Sequence, residues 1–466
     1  MNLGQFAVFA KILGLGKAVS TVAGGPNGVD DTASLQAIIN TIVGNPGKGL
    51  KIPDGRYKIS APLNIGVDNS SIVTGIKIEG SSRGGVIIEQ MTNNVPIFNV
   101  TGQFVHSCHF KTMTLLYTNQ QSTDNGGNCF KVNGPGGGSF YNSTFEDITA
   151  TKFYYFMDCP TVTWWGNIYN DMWFGAFSGG INRISAVAGE PRCTFRNLYI
   201  TGELATNTLF RHTAMTALYD NIEINNCVNG VPILADVSGG THVISHLALE
   251  GATYATGTTQ LFEVSNSRLI ADYIYLTALV LNAGAVVYAF HPQGGKSIAH
   301  IKVLELAFSS NNGQFYCFNS QGPIPSMLGE VTGLNPAGGS TLCDIGGSVA
   351  ANFMYVQRWN EMSRIAYKGD ADASLLYDDP ATQVLDIPTT AIRTVTLPQA
   401  TAVASTAMFS GRRFKFVRTA ASTGGFAWNI NDSSAVQQAT LAAGQSVEFV
   451  WQRSGAGTNF KWVKVG

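Results

Sequence analysis

An internal repeat constrains this chain more than any other feature. Its six positions run apolar, any, small polar or histidine, apolar, any, apolar. The copies are Phe145-Glu146-Asp147-Ile148-Thr149-Ala150, Tyr169-Asn170-Asp171-Met172-Trp173-Phe174, Phe195-Arg196-Asn197-Leu198-Tyr199-Ile200 and Tyr219-Asp220-Asn221-Ile222-Glu223-Ile224. Three more read Ile244-Ser245-His246-Leu247-Ala248-Leu249, Ile270-Ala271-Asp272-Tyr273-Ile274-Tyr275 and Ile298-Ala299-His300-Ile301-Lys302-Val303. The spacings between first positions are 24, 26, 24, 25, 26 and 28 residues, and weaker copies stand at Phe110 and around Ile76. Each unit is too short for a helix–strand pair plus a second strand, and its alternation has period two. Further short β-rich runs, such as Gln260-Leu261-Phe262-Glu263-Val264, lie between copies. About two dozen residues, three short strands and turns rich in Gly and Asn make one coil of a parallel β-helix. The third-position slot is expected at a turn, capping backbone amides rung after rung.

Composition agrees with an all-β chain. Among 466 residues, 52 are glycine, 45% are hydrophobic and 13% charged. The 29 Lys+Arg against 30 Asp+Glu give a net charge of -1, which excludes the basic excess of a dedicated nucleic-acid binder. No run of about 18 uncharged apolar residues exists, so no membrane insertion is expected. Seven cysteines (Cys108, Cys129, Cys159, Cys193, Cys227, Cys317, Cys343) form no CxxC pair and read as reduced, buried small hydrophobes. The seven histidines show no metal-binding spacing, and no metal or cofactor is expected.

Three regions are expected. Residues 1–22 read as a short attachment or capping segment, helical rather than a cleaved signal: there is no basic start, and Lys11 interrupts the apolar run. Residues 23–368 form the β-helix. It opens with a helix in Gly28-Val29-Asp30-Asp31-Thr32-Ala33-Ser34-Leu35-Gln36-Ala37-Ile38-Ile39-Asn40, where Asp30 or Asp31 is the N-cap and Leu35, Ile38, Ile39 and Ile42 share one face. Such a helix covers the exposed sheet edge at the end of a solenoid. Residues 369–466 show alternating strands separated by Gly, Ser, Thr and Ala, which suggests a separate antiparallel β-sandwich.

The run Val29-Asp30-Asp31-Thr32-Ala33-Ser34-Leu35-Gln36-Ala37-Ile38-Ile39-Asn40-Thr41, followed by Ile52-Pro53-Asp54-Gly55-Arg56-Tyr57-Lys58-Ile59-Ser60, Ala61-Pro62-Leu63-Asn64-Ile65 and the rung-like Thr74-Gly75-Ile76-Lys77-Ile78-Glu79-Gly80, resembles the pectate-lyase-like superfamily. In particular it resembles bacteriophage tailspike depolymerases. The resemblance covers roughly residues 20 to 365 and identifies the fold far better than the substrate. It implies a right-handed parallel β-helix that cleaves capsular, O-antigen or exopolysaccharide on the host cell, usually as an intertwined homotrimer. It also implies a place on the phage virion, with a C-terminal module that trimerises the chain or binds glycan. Only about 20 residues precede the helix. Attachment to a tail or baseplate protein then runs through a short peptide, the module works free of a virion, or the native chain is longer.

The repeat also places side chains. With positions four and six inward, the expected outward column holds Thr149, Trp173, Tyr199, Glu223, Ala248, Ile274 and Lys302, and a second holds Thr151, Gly175, Thr201, Asn225, Glu250, Leu276 and Leu304. Trp173, Tyr199 and Glu223 then lie on successive rungs about 4.8 Å apart. Exposed aromatics beside an acid suit sugar binding, because pyranose faces stack on rings while polar groups fix orientation; they equally suit cover by a neighbouring subunit or loop. Glu250, one rung on and two residues along, has its backbone about 8 Å from that of Glu223. Two carboxyl groups at such reach match glycoside hydrolysis, either retaining or inverting. Asp220, beside Arg196, is either the second carboxylate or the ion-pair partner of Arg196. Glu146, Asp147 and Asp171 form a fallback cluster, and no dense carboxylate set marks a calcium site.

The expected catalytic residues are thus Glu223, Glu250 and Asp220, with Trp173, Tyr199, Arg196 and Lys302 contacting substrate. β-Elimination is the rival chemistry, with Tyr199, Arg196 or Lys302 as base. A non-catalytic glycan-binding spike and a monomeric pectinase-like enzyme are the remaining alternatives.

Overall fold

Successive copies of the repeat pair with one another in parallel register, so the chain winds into a solenoid. The computed structural model describes residues 7–9, 30–43, 45, 49–135, 138–184, 192–202, 204–213, 215–227, 230–236, 239–293, 298–310, 314–319, 326–332, 340–344, 354–359, 365–368, 371–375, 382–385, 391–398, 413–418, 426–432, 434–453 and 460–465. A sixteen-stranded sheet carries the repeat, an eleven-stranded sheet forms a second wall, and a four-stranded sheet closes the early coils. Among the described residues no helix is long and apolar enough to cross a membrane.

The helix Thr32–Val43 forms where its apolar spacing places it, and Leu35, Ile38, Ile39 and Ile42 are buried. Its first turn is fixed by Asp31, whose carbonyl accepts the Leu35 N–H at 2.9 Å, and by Asp30, whose Oδ1 accepts the Thr32 N–H at 2.9 Å. The expected helical N-terminal segment holds instead the short strand Ala7–Phe9, paired parallel with Gly49–Ile52. An apolar, β-forming triplet there extends an open sheet edge. The rest of residues 1–29 lies outside the described residues.

Positions one, four and six of the repeat point into the solenoid. Position one carries Phe110, Phe145, Tyr169, Phe195 and Tyr219, whose rings stack rung upon rung with centroids 5.3, 5.0, 4.7 and 5.1 Å apart. The third position does more than turn the chain. Thr112, Asp147, Asp171, Asn197 and Asn221 all take φ between 50° and 57°, the left-handed region that Asn and Asp tolerate best. The strand therefore bends there and its ladder is interrupted. The expected capping of backbone amides is replaced by a side-chain link: Asn221 Nδ2 donates to Asn197 Oδ1 at 3.0 Å.

The C-terminal unit is a pair of sheets, but not a purely antiparallel one. Ile365–Lys368, Thr382–Leu385 and Arg413–Arg418 pair parallel in one sheet, and Ala373–Ser374, Arg393–Thr396 and Trp428–Asn431 in the other. Successive strands alternate between the sheets, which forces neighbours within each to run the same way. Only the later strands, from Gln437–Leu441 onward, return antiparallel. Phe414, Phe416, Trp428, Phe449 and Trp462 fill the space between them.

The solenoid interior also holds a polar knot. Tyr219 Oη lies 3.2 Å from His212 Nδ1 and 3.4 Å from His242 Nδ1, and His242 Nε2 lies 2.7 Å from Asp236 Oδ2, all buried. Burial, reinforced by neighbouring His242, pushes the His212 imidazole down to about 3. The folded protein thus keeps His212 neutral while the unfolded chain protonates it near the ordinary value. Its stabilising contribution is present above about pH 6.5 and declines as pH falls toward about 3. Thermal unfolding followed by circular dichroism should show the midpoint dropping across that window, with a shallower drop in His212→Phe. Independently, Phe195→Ala removes a central ring of the interior stack and should cost about 3–5 kcal/mol in denaturant unfolding.

Candidate active site

The outer face of the repeat-bearing sheet is a grid whose rows are rungs and whose columns are register positions. Column one reads Thr114, Thr149, Trp173, Tyr199, Glu223, Ala248, Tyr275 and Glu305. Column two reads Thr151, Gly175, Thr201, Asn225, Glu250, Thr277 and Ala307. Five rungs of each match the sequence reading, and the last two do not. Ile274, Leu276 and Leu304 point inward and are fully buried. The sixth repeat begins at Ala271 and the seventh at Ile301, so the copies taken to start at Ile270 and Ile298 are misplaced by one and three residues. An odd slip turns every side chain to the opposite face of a strand. Lys302 leaves the column for the same reason; its Nζ stands 3.8 Å from Asp272 Oδ1, with both side chains well exposed.

The remaining expected residues do come together. Trp173 is 37% and Tyr199 38% exposed, with ring centroids 6.4 Å apart and planes 16° from parallel. The Trp173 ring lies down over Gly175: a Cβ built there would stand 3.1 Å from Trp173 Cη2. Glycine is the residue that lets the indole lie so close to the sheet. Glu223, next on the column, is exposed, and its Oε1 accepts a hydrogen bond from Asn225 Nδ2 at 2.8 Å. Glu250 is exposed on the following rung, directly beyond Asn225.

Charge pairing separates the acids. Asp220 Oδ2 accepts from Arg196 Nε at 3.0 Å, so Arg196 and Asp220 are committed to each other. Glu146 is held by His109 at 3.2 Å and Lys111 at 3.5 Å, and Asp147 faces Arg83 at 3.3 Å, which neutralises most of the fallback cluster. Glu223 and Glu250 have no cationic partner among the described residues.

Sequence reading missed three neighbours. Tyr275 and Glu305 enter column one, and Tyr273 Oη donates a short hydrogen bond to Glu305. That bond pushes the Tyr273 phenol up to about 12, which keeps it protonated. His246 stacks on Tyr273 with centroids 5.2 Å apart and planes 3° from parallel. The buried apolar pattern Ala271, Ile274, Leu276 was the available signal, hidden by an alanine at position one.

Elsewhere, the described thiols of Cys108, Cys129, Cys159, Cys193 and Cys227 are free and buried, and burial pushes each up. The side chains of Cys317 and Cys343 lie outside the described residues. Among the described residues no three His, Cys, Asp or Glu groups gather in a way that holds a metal ion.

No family model matches this chain, and no curated protein does. The chain is similar to the solved tailspike protein of Acinetobacter phage vB_ApiP_P1, at 12% identity over 99% of this chain and 79% of that one, with a TM-score of 0.36. It is similar also to the catalytic unit of a thermostable GH87 α-1,3-glucanase from Streptomyces thermodiastaticus, at 13% identity over 73% and 70%, TM-score 0.36. A third is PfbA, a surface adhesin of Streptococcus pneumoniae, at 10% identity over 98% of each chain, TM-score 0.35.

The exposed Arg196–Asp220 pair bridges two rungs in solvent, where such pairs contribute little. Arg196→Ala should shift unfolding by less than about 1 kcal/mol, measured by urea titration.

Proposed function

We propose that this chain is a tailspike depolymerase that cleaves a bacterial surface polysaccharide, capsular or exopolysaccharide, by endo-acting glycoside hydrolysis. One observation carries the reading. On a single outer face of the solenoid, two carboxylates without cationic partners among the described residues, Glu223 and Glu250, stand next to two exposed aromatic rings lying nearly parallel, Trp173 and Tyr199. Rings of that kind hold sugar faces, and paired carboxyl groups hydrolyse the bond between sugars.

In this mechanism Glu250 protonates the glycosidic oxygen as the bond to the anomeric carbon breaks. Glu223, oriented by Asn225, supplies the second carboxylate, either activating the water that attacks the anomeric carbon or attacking it directly before water releases the product. The water's hydroxyl ends on the new reducing end and its proton restores the acid. Asp220 acts by anchoring Arg196 at the edge of the site. The tailspike assignment further implies a homotrimer on a phage virion, attached through the N-terminal segment and acting outside the cell, with the C-terminal sheets trimerising the chain or binding glycan. That part rests on the resemblance of the N-terminal motifs.

Glu223→Gln and Glu250→Gln should each lower kcat by at least about a hundredfold while leaving polysaccharide binding within about threefold. Full cleavage by both variants would remove the assignment. Trp173→Ala should mainly raise KM, by about five- to a hundredfold, as expected for loss of one stacking surface. Release of reducing ends from purified capsular polysaccharides measures all three.

A further inference from the structure

A cleft of ligand size opens where the helix Thr32–Val43 meets the outer face of the eleven-stranded sheet, at the strands Leu63–Ile65 and Phe98–Thr101. Its volume is about 350 Å³, and Gln36, Asn40, Asn64, Val67, Asn99 and Thr101 line it. Small-molecule sites run from about 300 to 1,000 Å³. The cleft lies on a different wall of the solenoid from Trp173, Tyr199, Glu223 and Glu250. Amides dominate its lining. Gln36 fixes the helix in place: its Oε1 accepts the Asn64 N–H at 2.6 Å, and its Nε2 donates to the Asn64 carbonyl at 2.9 Å and to Asn40 Oδ1 at 2.7 Å. On the sheet, Asn99 Nδ2 donates to Asn64 Oδ1 at 2.9 Å, and Asn133 Nδ2 donates to Asn99 Oδ1 at 3.2 Å. Each amide is thus held by its neighbour. Among the described residues, the Asn40 Nδ2 protons and the Thr101 hydroxyl proton meet no acceptor.

We infer that this cleft is a second glycan-binding site and that it takes an uncharged sugar unit. Oriented amides offer both donors and acceptors, which is what sugar hydroxyls require. None of the lining residues is charged. The register column of Asn64 and Asn99 turns to charge only at the next rung, where Lys131 Nζ stands 3.8 Å from Asp158 Oδ2 and Asp158 also holds Arg183. An anionic sugar entering the cleft would give up water with no cation there to receive it. Val67, 82% exposed, supplies an apolar surface on which the C–H face of a ring can rest. The inference goes beyond the hydrolase reading and does not depend on it. A chain that binds glycan without cutting it would use the cleft equally.

Saturation-transfer difference NMR on the full chain tests it. The probes are neutral disaccharides of glucose, galactose, mannose and N-acetylglucosamine, with digalacturonate as the charged comparison. All measurements use a Trp173→Ala/Tyr199→Ala background, which strips the stacking rings from the candidate active site so that the remaining signal reports the cleft. At least one neutral probe should bind there, and digalacturonate should bind more weakly. Adding Asn40→Ala and Asn99→Ala should weaken that binding at least about fivefold, the loss expected for two hydrogen bonds. Asn40→Ala alone, at an exposed position of the helix, should weaken it at least about twofold and decides the matter if Asn99→Ala disturbs the coil. No binding of any neutral probe, equal or tighter binding of digalacturonate, or unchanged binding in Asn40→Ala would each overturn the inference. The hydrolase reading is decided separately, by reducing-end release from the chain with Trp173, Tyr199, Glu223 and Glu250 intact, whatever the cleft binds.

Discussion

The stacking of aromatic rings from rung to rung inside the solenoid is the interaction on which the rest depends. Backbone hydrogen bonds hold coils together, but they tolerate a slip of register; a parallel ladder looks much the same shifted by two residues. Phe110, Phe145, Tyr169, Phe195 and Tyr219 do not tolerate it, because each ring stacks on the rings one rung away and a slip of two residues parts them. Such pairs contribute about 0.5–1.5 kcal/mol each beyond the area they bury. That is enough to favour one register decisively. Once it is set, the outward residues of the same strands are set as well, and the exposed face becomes a grid with fixed neighbours.

The bend at the third position adds a second constraint. A left-handed residue in mid-strand puts two consecutive side chains, positions two and three, on the outer surface. The first carries ion pairs such as Arg196–Asp220, the second carries the Asn197–Asn221 link. Both tie adjacent rungs together outside the core, leaving column one free of structural duty. The residues with chemical potential, Trp173, Tyr199, Glu223 and Glu250, stand beyond that bend, on the straight continuation of the strands. Stability and the candidate chemistry therefore use different positions of one short motif.

How far the sequence was legible follows the same boundary. The helix Thr32–Val43, the solenoid and the columns through Ala248 and Glu250 could be read directly, because an aromatic first position and an Asn or Asp third position mark the rungs up to Tyr219 and the 25-residue step to Ile244 carries the register one rung further. Both markers end at Tyr219 and Asn221. Beyond them Ile244, Ala271 and Ile301 follow at position one, and the spacing stretches to 27 and then 30 residues. With no bulky marker, an outward isoleucine such as Ile270, 39% exposed, passes for an inward one. That is why Tyr275 and Glu305 went unseen and why Lys302 was placed on the wrong column. In the C-terminal unit the strands themselves were readable from alternation. Their parallel pairing was not, since it depends on strands switching between two sheets.

The most direct test of this account is a mass spectrum of capsular polysaccharide digested by the purified protein in isotopically labelled water. Hydrolysis by Glu223 and Glu250 predicts shorter oligosaccharides, each gaining one water with the label on the new reducing end. Products that lack added water and carry an unsaturated sugar, or a polymer left at its original length, would contradict it.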